Sequence, residues 1–116
     1  MAKISIYHNP RCSKSRQTLA LLEEHNIQPE IVYYLENIPT KKKLQELLQQ
    51  LGLKPRDILR KSEEAYKLKK LANPALSDEQ LLKAMLDEPR LIERPIVVKG
   101  NKAVLGRPPE NVKTFL

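Results

Sequence analysis

The sequence is poor in the residues that build disulfide frameworks and metal sites. Among its 116 residues there is one cysteine, Cys12, and there are two histidines, His8 and His25. A single cysteine excludes an internal disulfide framework and any cysteine-rich zinc site. Two histidines far apart in the sequence leave too few ligands for structural zinc. We therefore predict no metal site and no bound cofactor.

Glycine, aromatic residues and long apolar runs are also scarce. The three glycines are isolated from one another, which excludes a glycine-rich phosphate loop. No apolar segment approaches the length of a membrane span, and the N-terminal sequence MAKISIYHN lacks the apolar stretch of a signal peptide. We therefore predict a cytoplasmic protein without a membrane partner, in which the thiol is kept reduced.

The excess of positive charge permits an anionic partner. The formal net charge is +7, which would suit an oxyanion, a nucleic acid or an acidic protein face, and does not choose among them. Aromatic residues make up only 4% of the chain, and no RNA-recognition pattern is present. Because single-stranded nucleic acids are bound largely by stacking on aromatic side chains, we expect no nucleic-acid partner.

The most informative stretch is His8–Arg16, which contains the cysteine. It follows a short apolar strand, Ile4–Tyr7, and leads into a helical pattern, Gln17–His25. The cysteine therefore lies where a strand turns into a helix. Unpaired N–H groups and the positive end of the helix dipole favour an anion there, whether a thiolate or a bound oxyanion. Cationic neighbours also lower the pKa of a thiol, and here these are His8, Arg11, Lys14 and Arg16.

A lone cysteine is more often a small buried apolar residue than a nucleophile. The polar and basic neighbours on both sides of Cys12 leave it no apolar face to join, and this favours the reactive interpretation. Ser13 or Ser15 is a plausible N-cap for the helix that follows.

The order of predicted elements indicates an α/β fold. A second strand at Glu30–Leu35 completes a βαβ unit, whose crossover implies parallel pairing. Strands at Pro95–Val98 and Lys102–Leu105 form a hairpin, and a final helix follows them. Only helices are predicted between Thr40 and Leu91.

The helical segment has clear start and stop signals. Leu44, Leu47, Leu48 and Leu51 share one helical face, and Gly52 follows them as a stop. A further helix is predicted to begin at Ser62 and run to about Leu71. The residues Ser77–Gln80 form a capping box for another helix.

Several blocks together resemble the glutaredoxin-coupled arsenate reductase family. They are Tyr7–Arg16, Arg60, Glu93–Val97 and Gly106–Pro108, and the similarity covers nearly the whole chain. The resemblance implies a thioredoxin-like fold with a mixed four-stranded sheet, in one domain of residues 1–116. It also implies a helical insertion at about residues 40–91.

The resemblance also implies a reaction and the roles of particular residues. Cys12 would be the nucleophile that attacks arsenate, glutathione the thiol that resolves the arsenylated cysteine, and glutaredoxin the protein that completes reduction to arsenite. His8 would tune Cys12, with Asn9 and Ser15 in support, and Pro95 would follow a cis peptide bond. The expected oxyanion ligands are Arg60, Arg94 and Arg107, since arginine forks match a tetrahedral anion.

Two alternatives from other classes stay open. Better-known members of the family have Gly-Thr after the cysteine, where this chain has Ser13-Lys14. Serine has less backbone freedom than glycine, so a member limited to glutathione exchange at Cys12 is one alternative. The other is a regulator of the Spx type, which shares the fold and binds RNA polymerase. Spx proteins typically carry C-x-x-C, and Ser15 stands at the second cysteine position here, which speaks against this second alternative.

Overall fold

The computed structural model describes residues 3–116, and the chain divides into two compact units. One unit comprises the chain up to Asn37 together with Arg94–Leu116, and the other comprises Ile38–Glu93. The first unit contains the sheet, and the second contains the segment for which only helices are predicted. Within residues 3–116, no helix is both long and apolar enough to cross a membrane.

The first unit is built on a mixed four-stranded sheet. Its strands are β1 (Ile4–Tyr7), β2 (Glu30–Val32), β3 (Ile96–Lys99) and β4 (Lys102–Leu105). The strand order is β2-β1-β3-β4, with β1 and β2 parallel and the other pairs antiparallel. In this register Ile6 lies between Ile31 on β2 and Val97 on β3. The predicted fold class, including the parallel first pair and the C-terminal hairpin, is confirmed.

Helix α1 (Ser13–Glu24) packs with the C-terminal 3₁₀ helix, Pro109–Phe115. Asn26, just after α1, has a left-handed φ of 61°, a conformation that asparagine tolerates at the end of a helix. The core of the unit consists of buried side chains from the sheet and both helices, each contributing roughly 1.5–3 kcal/mol by leaving water. They are Ile4, Ile6, Leu22, Val97, Val112 and Phe115.

Among the described residues, the second unit contains helices and no named strand. It contains α2 (Lys41–Leu51), α3 (Glu64–Leu68), α4 (Asp78–Asp87) and 3₁₀ helices at Pro55–Ile58 and Pro89–Leu91. Helix α2 ends at Gly52, whose φ of +69° is the left-handed conformation that glycine adopts without strain. The predicted capping box of α4 is confirmed: the Gln80 N–H donates to Ser77 Oγ, and the Ser77 N–H donates to Gln80 Oε1.

The ends of β2 and α3 differ from the predicted ones. β2 ends at Val32 because the carbonyl of Tyr33 accepts from the N–H groups of Glu36 and Asn37, which turns the chain out of the sheet. The final helix, which the sequence predicts after the hairpin, is of the 3₁₀ type, and its terminal Leu116 is 43% exposed.

Helix α3 is shorter than predicted. Its N-cap is Glu63 and not Ser62, and it ends at Leu68. Lys70 then takes a left-handed φ of 53°, which stops the helix before Leu71.

Candidate active site

Cys12 connects β1 to α1 and is itself the N-cap of that helix. Its backbone is extended, with φ −94° and ψ 123°, and its carbonyl accepts the Arg16 N–H at 3.0 Å, the first hydrogen bond of the helix. The prediction that Ser13 or Ser15 is the N-cap is therefore wrong. Ser13 is the first helical residue, and the Ser15 side chain is fully buried.

Ser15 instead holds the loop that precedes the cysteine. Its Oγ accepts the Asn9 N–H at 3.1 Å and lies 2.6 Å from Nδ1 of His8. Asn9 in turn accepts the Arg11 N–H on Oδ1 and the Cys12 N–H on its carbonyl, each at 3.0 Å. His8, Asn9 and Ser15 are buried, so these bonds fix the backbone that carries the sulfur.

The half-buried sulfur is surrounded by groups that favour the thiolate. Burial by itself raises the pKa of Cys12. The backbone N–H of Ser15, the guanidinium of Arg94 through a hydrogen bond and through its charge, and the backbone N–H of Lys14 act in the opposite direction. The sulfur forms no side-chain capping hydrogen bond in α1, and the net result of these opposing effects is a pKa of Cys12 below the ordinary value of a cysteine thiol.

The predicted direction of this pKa change is confirmed, but its source differs from the prediction. Arg11, Lys14 and Arg16 have exposed side chains, and it is the Arg94 side chain that lowers the pKa of the thiol. Burial and the nearby charge of Arg16 lower the pKa of His8, so this side chain favours its neutral form.

Sheet pairing explains how Arg94 reaches a cysteine so distant in sequence. Tyr7, the last residue of β1, pairs with Ile96, the first residue of β3. Because the two strands are antiparallel, residues just before β3 and residues just after β1 meet at the same end of the sheet. Sequence patterns gave no sign of this proximity, which only the family resemblance implied.

Arg107 joins the same cluster. Its Nη1 lies 3.8 Å from Cys12 Sγ and 3.4 Å from the carbonyl oxygen of Arg94. The Arg94–Pro95 peptide bond is cis, as the resemblance implied, and so is the bond from Arg107 to Pro108. Two of the three predicted arginines thus lie beside the sulfur.

Arg60 lies in the helical unit and is paired there with carboxylates. Its Nη1 is 2.8 Å from Glu93 Oε1, its Nε is 3.5 Å from Glu63 Oε1, and its side chain is only 14% exposed. Its role as an oxyanion ligand stays a prediction.

The residues Ser13 and Lys14 are compatible with the local backbone. The residues with positive φ in the described chain other than glycine are Asn26 and Lys70, so Ser13 occupies an ordinary helical conformation. Glycine at position 13 would bring no conformational advantage here. Lys14 contributes its backbone N–H to the sulfur while its side chain is exposed.

The described residues offer no metal centre beside this site, since no group of three or more His, Cys, Asp or Glu side chains among residues 3–116 is arranged to hold an ion.

The fold and the site together define a thioredoxin-like protein with one cysteine at the N-terminus of its first helix. The sequence profile of the ArsC family matches residues 7–115, and the chain belongs to that family.

Individual relatives agree with this assignment. The arsenate reductase of Neisseria meningitidis is 46% identical over 117 residues, covering 100% of both chains. The uncharacterised protein YfgD of Escherichia coli is 51% identical over 111 residues, covering 95% of this chain and 93% of YfgD. The solved structure of arsenate reductase from Vibrio cholerae superposes with a TM-score of 0.95 at 51% identity, covering 99% of this chain and 98% of that one.

Proposed function

We propose that this chain is a cytoplasmic arsenate reductase that uses Cys12 as its nucleophile and glutathione with glutaredoxin as electron donors. The observation that carries the proposal is the placement of the Cys12 sulfur against the helix N-terminus and the Arg94 guanidinium, which together favour the thiolate. The thiolate is the nucleophilic form of cysteine. Arsenate is proposed as the substrate because relatives at 46% and 48% identity are named arsenate reductase.

In the proposed first step, the Cys12 thiolate attacks arsenic and an As–S bond forms, while one arsenic–oxygen bond breaks and that oxygen, protonated by solvent, leaves as water. Thiolate and arsenate are both anions and repel each other. Arg94 and Arg107, which both approach the sulfur, offset that repulsion and stabilise the oxygens in the transition state. Arginine suits this role because its fork provides paired donors of fixed geometry.

The remaining steps require thiols from other molecules. Cys12 is the only cysteine of the chain, so it has no internal thiol partner. Glutathione would displace a second oxygen of the arsenylated cysteine as water, and the glutaredoxin thiol would then attack the glutathione sulfur. Arsenic(V) gains the two electrons that two thiols lose in forming one disulfide. Hydrolysis of the remaining As–S bond releases arsenite and regenerates Cys12.

A coupled assay tests the proposal. Arsenate, glutathione, glutaredoxin, glutathione reductase and NADPH are combined with the chain, and NADPH consumption is followed. We expect consumption that depends on arsenate and is abolished by Cys12→Ser. Ser13→Ala, which changes the exposed first residue of α1 next to the cysteine, is the matched control and should retain activity.

Two outcomes would contradict the proposal. If Cys12 forms a mixed disulfide with glutathione but NADPH consumption does not depend on arsenate, the chain is limited to thiol exchange. If Cys12→Ser consumes NADPH as fast as the parent, the cysteine is not the nucleophile.

A further inference from the structure

A buried threonine in α1 connects the helix that carries the cysteine to the segment that carries Arg107. Thr18 is 0% exposed, and its Oγ1 lies 2.9 Å from the Lys14 carbonyl oxygen and 3.1 Å from the Gly106 carbonyl oxygen. The hydroxyl has a single proton with which to donate to these two acceptors. One acceptor belongs to the first turn of α1, and the other directly precedes Arg107.

Gly106 fits against Thr18 so closely that no side chain has room there. A Cβ atom at this position would lie 2.6 Å from Thr18 Oγ1 and 2.7 Å from Pro95 Cγ. The Gly106 N–H also donates to the Pro95 carbonyl at 2.9 Å. Thr18, Gly106 and Pro95 thus form one contact, which we name the Thr18 contact.

The Thr18 contact lies beside the backbone of both arginines that approach the sulfur. Arg94 directly precedes Pro95, and Arg107 directly follows Gly106. The same helix that contributes Thr18 begins at Cys12. A shift of α1 relative to Gly106 would therefore move the sulfur relative to both guanidinium groups.

We propose that Thr18 is a positioning residue for the reaction, and that its hydroxyl sets the distance between the Cys12 sulfur and the guanidinium groups of Arg94 and Arg107. The role in catalysis rests on the proposed function. Thr18 does not itself touch the sulfur or the substrate. Its effect passes through the Gly106 carbonyl to Arg107, and through Pro95 to Arg94.

Two substitutions separate positioning from simple packing. Thr18→Val keeps the shape of the side chain and removes the hydroxyl, whereas Thr18→Ser keeps the hydroxyl and removes a methyl group. Thr114→Val is the matched control, because the exposed Thr114 donates to Asn111 in the C-terminal 3₁₀ helix. The thiolate absorbance of Cys12 against pH and the binding of sulfate, followed by thermal shift, are measured for all variants.

For Thr18→Val we expect a higher pKa of Cys12 and a sulfate affinity lower by about ten- to a hundredfold, the effect of weakening one hydrogen bond between a guanidinium group and the anion. Thr18→Ser should restore both quantities to near the parent values, and Thr114→Val should leave both unchanged. The proposal would be overturned if Thr18→Val lowered the melting temperature but kept the parent's Cys12 pKa and sulfate affinity. Thr18 would then only support the fold.

Two features keep the test decisive. If Thr18→Val does not fold, Thr18→Ala, which removes the hydroxyl without introducing a larger group, is measured in its place with the same criteria. Both readouts are independent of arsenate turnover. A parent chain that fails to reduce arsenate but loses sulfate binding on Thr18→Val would refute the proposed function and support the positioning role.

Discussion

Burial of the Cys12 sulfur and the donors around it act in opposite directions on its pKa. Burial favours the neutral thiol, while two backbone N–H groups and the Arg94 guanidinium favour the thiolate, and the donors prevail. The side chain that matters most among them comes from the far end of the sequence. The polar groups of His8 and Asn9 in the loop, and of Ser15 in the first turn of α1, hold the backbone of the loop.

Arg94→Ala should raise the pKa of Cys12, because it removes both a hydrogen bond and a positive charge from the thiolate. Arg94→Lys should restore part of the effect, since lysine keeps the charge without the fork. Ultraviolet absorbance of the thiolate against pH measures both. Arg16→Ala serves as the control, and an equal rise in this variant would show that the general charge of the loop, and not Arg94, sets the pKa.

His8 gives the folded protein a pH dependence of defined sign. Its folded pKa lies below the ordinary 6.5, mainly through burial and secondarily through Arg16. Between the two values the unfolded chain binds more protons than the folded one, so the free energy of unfolding falls as the pH drops below 6.5.

Urea unfolding across this pH window should show a decreasing midpoint for the parent and a weaker decrease for His8→Gln. His25→Gln, which changes an exposed histidine at the end of α1, should retain the parent's dependence. The same slope in His8→Gln and the parent would assign the dependence to another group.

At the level of helices and strands, features that depend on neighbouring residues are predictable from the sequence, and contacts between distant residues are not. The α4 capping box, the glycine after α2 and the C-terminal hairpin depend on neighbouring residues, and the sequence contains all of that information. The predicted start of α1 is wrong because cysteine is not a preferred N-cap, and the serines that are preferred lie inside the first turn of the helix. Arg94 and Arg107 reach Cys12 through sheet pairing and the Thr18 contact, which no local pattern encodes.

An isolated antiparallel bridge in the helical unit brings Arg60 and Glu93 together. Leu59 pairs with Ile92, and the Arg60 and Glu93 N–H groups donate to Leu91 and Ile58 at 2.8 Å each. The side chains of Arg60 and Glu93 then form a mostly buried ion pair beside the bridge. Removing Arg60 takes a charge-assisted hydrogen bond from the partly desolvated Glu93 carboxylate.

Arg60→Ala should therefore lower the free energy of unfolding by about 1.5–3 kcal/mol, the range for hydrogen bonds to charged groups. A double-mutant cycle with Glu93→Ala should show coupling between the two residues. Lys43→Ala, which breaks an exposed pair with Glu46, should change stability by less than about 1 kcal/mol. Urea unfolding measures all of these, and additive effects of Arg60→Ala and Glu93→Ala would contradict the assigned pairing.

For the whole molecule, the single thiol limits the glutathione adducts formed at cysteine to one per chain. When the Cys12 thiolate attacks oxidised glutathione, a mixed disulfide forms and one glutathione thiolate leaves. Intact mass measurement should find one adduct on the parent and none on Cys12→Ser, and glutaredoxin with glutathione should remove it. An unmodified parent, or an adduct on Cys12→Ser, would contradict the assignment of Cys12 as the reactive group.

Arg11, Lys14 and Arg16 are neighbours of Cys12 in the sequence and have exposed side chains, whereas the Arg94 side chain lowers the pKa of the thiol. In a chain of net charge +7, such side chains attract anions from a distance and raise the rate of their encounter with the site. Dissolved salt screens this attraction, while contacts inside the site are screened much less. Replacing Arg11 or Lys14 by alanine should therefore slow anion capture at low ionic strength and have little effect at high ionic strength, whereas replacing Arg94 should weaken capture at both.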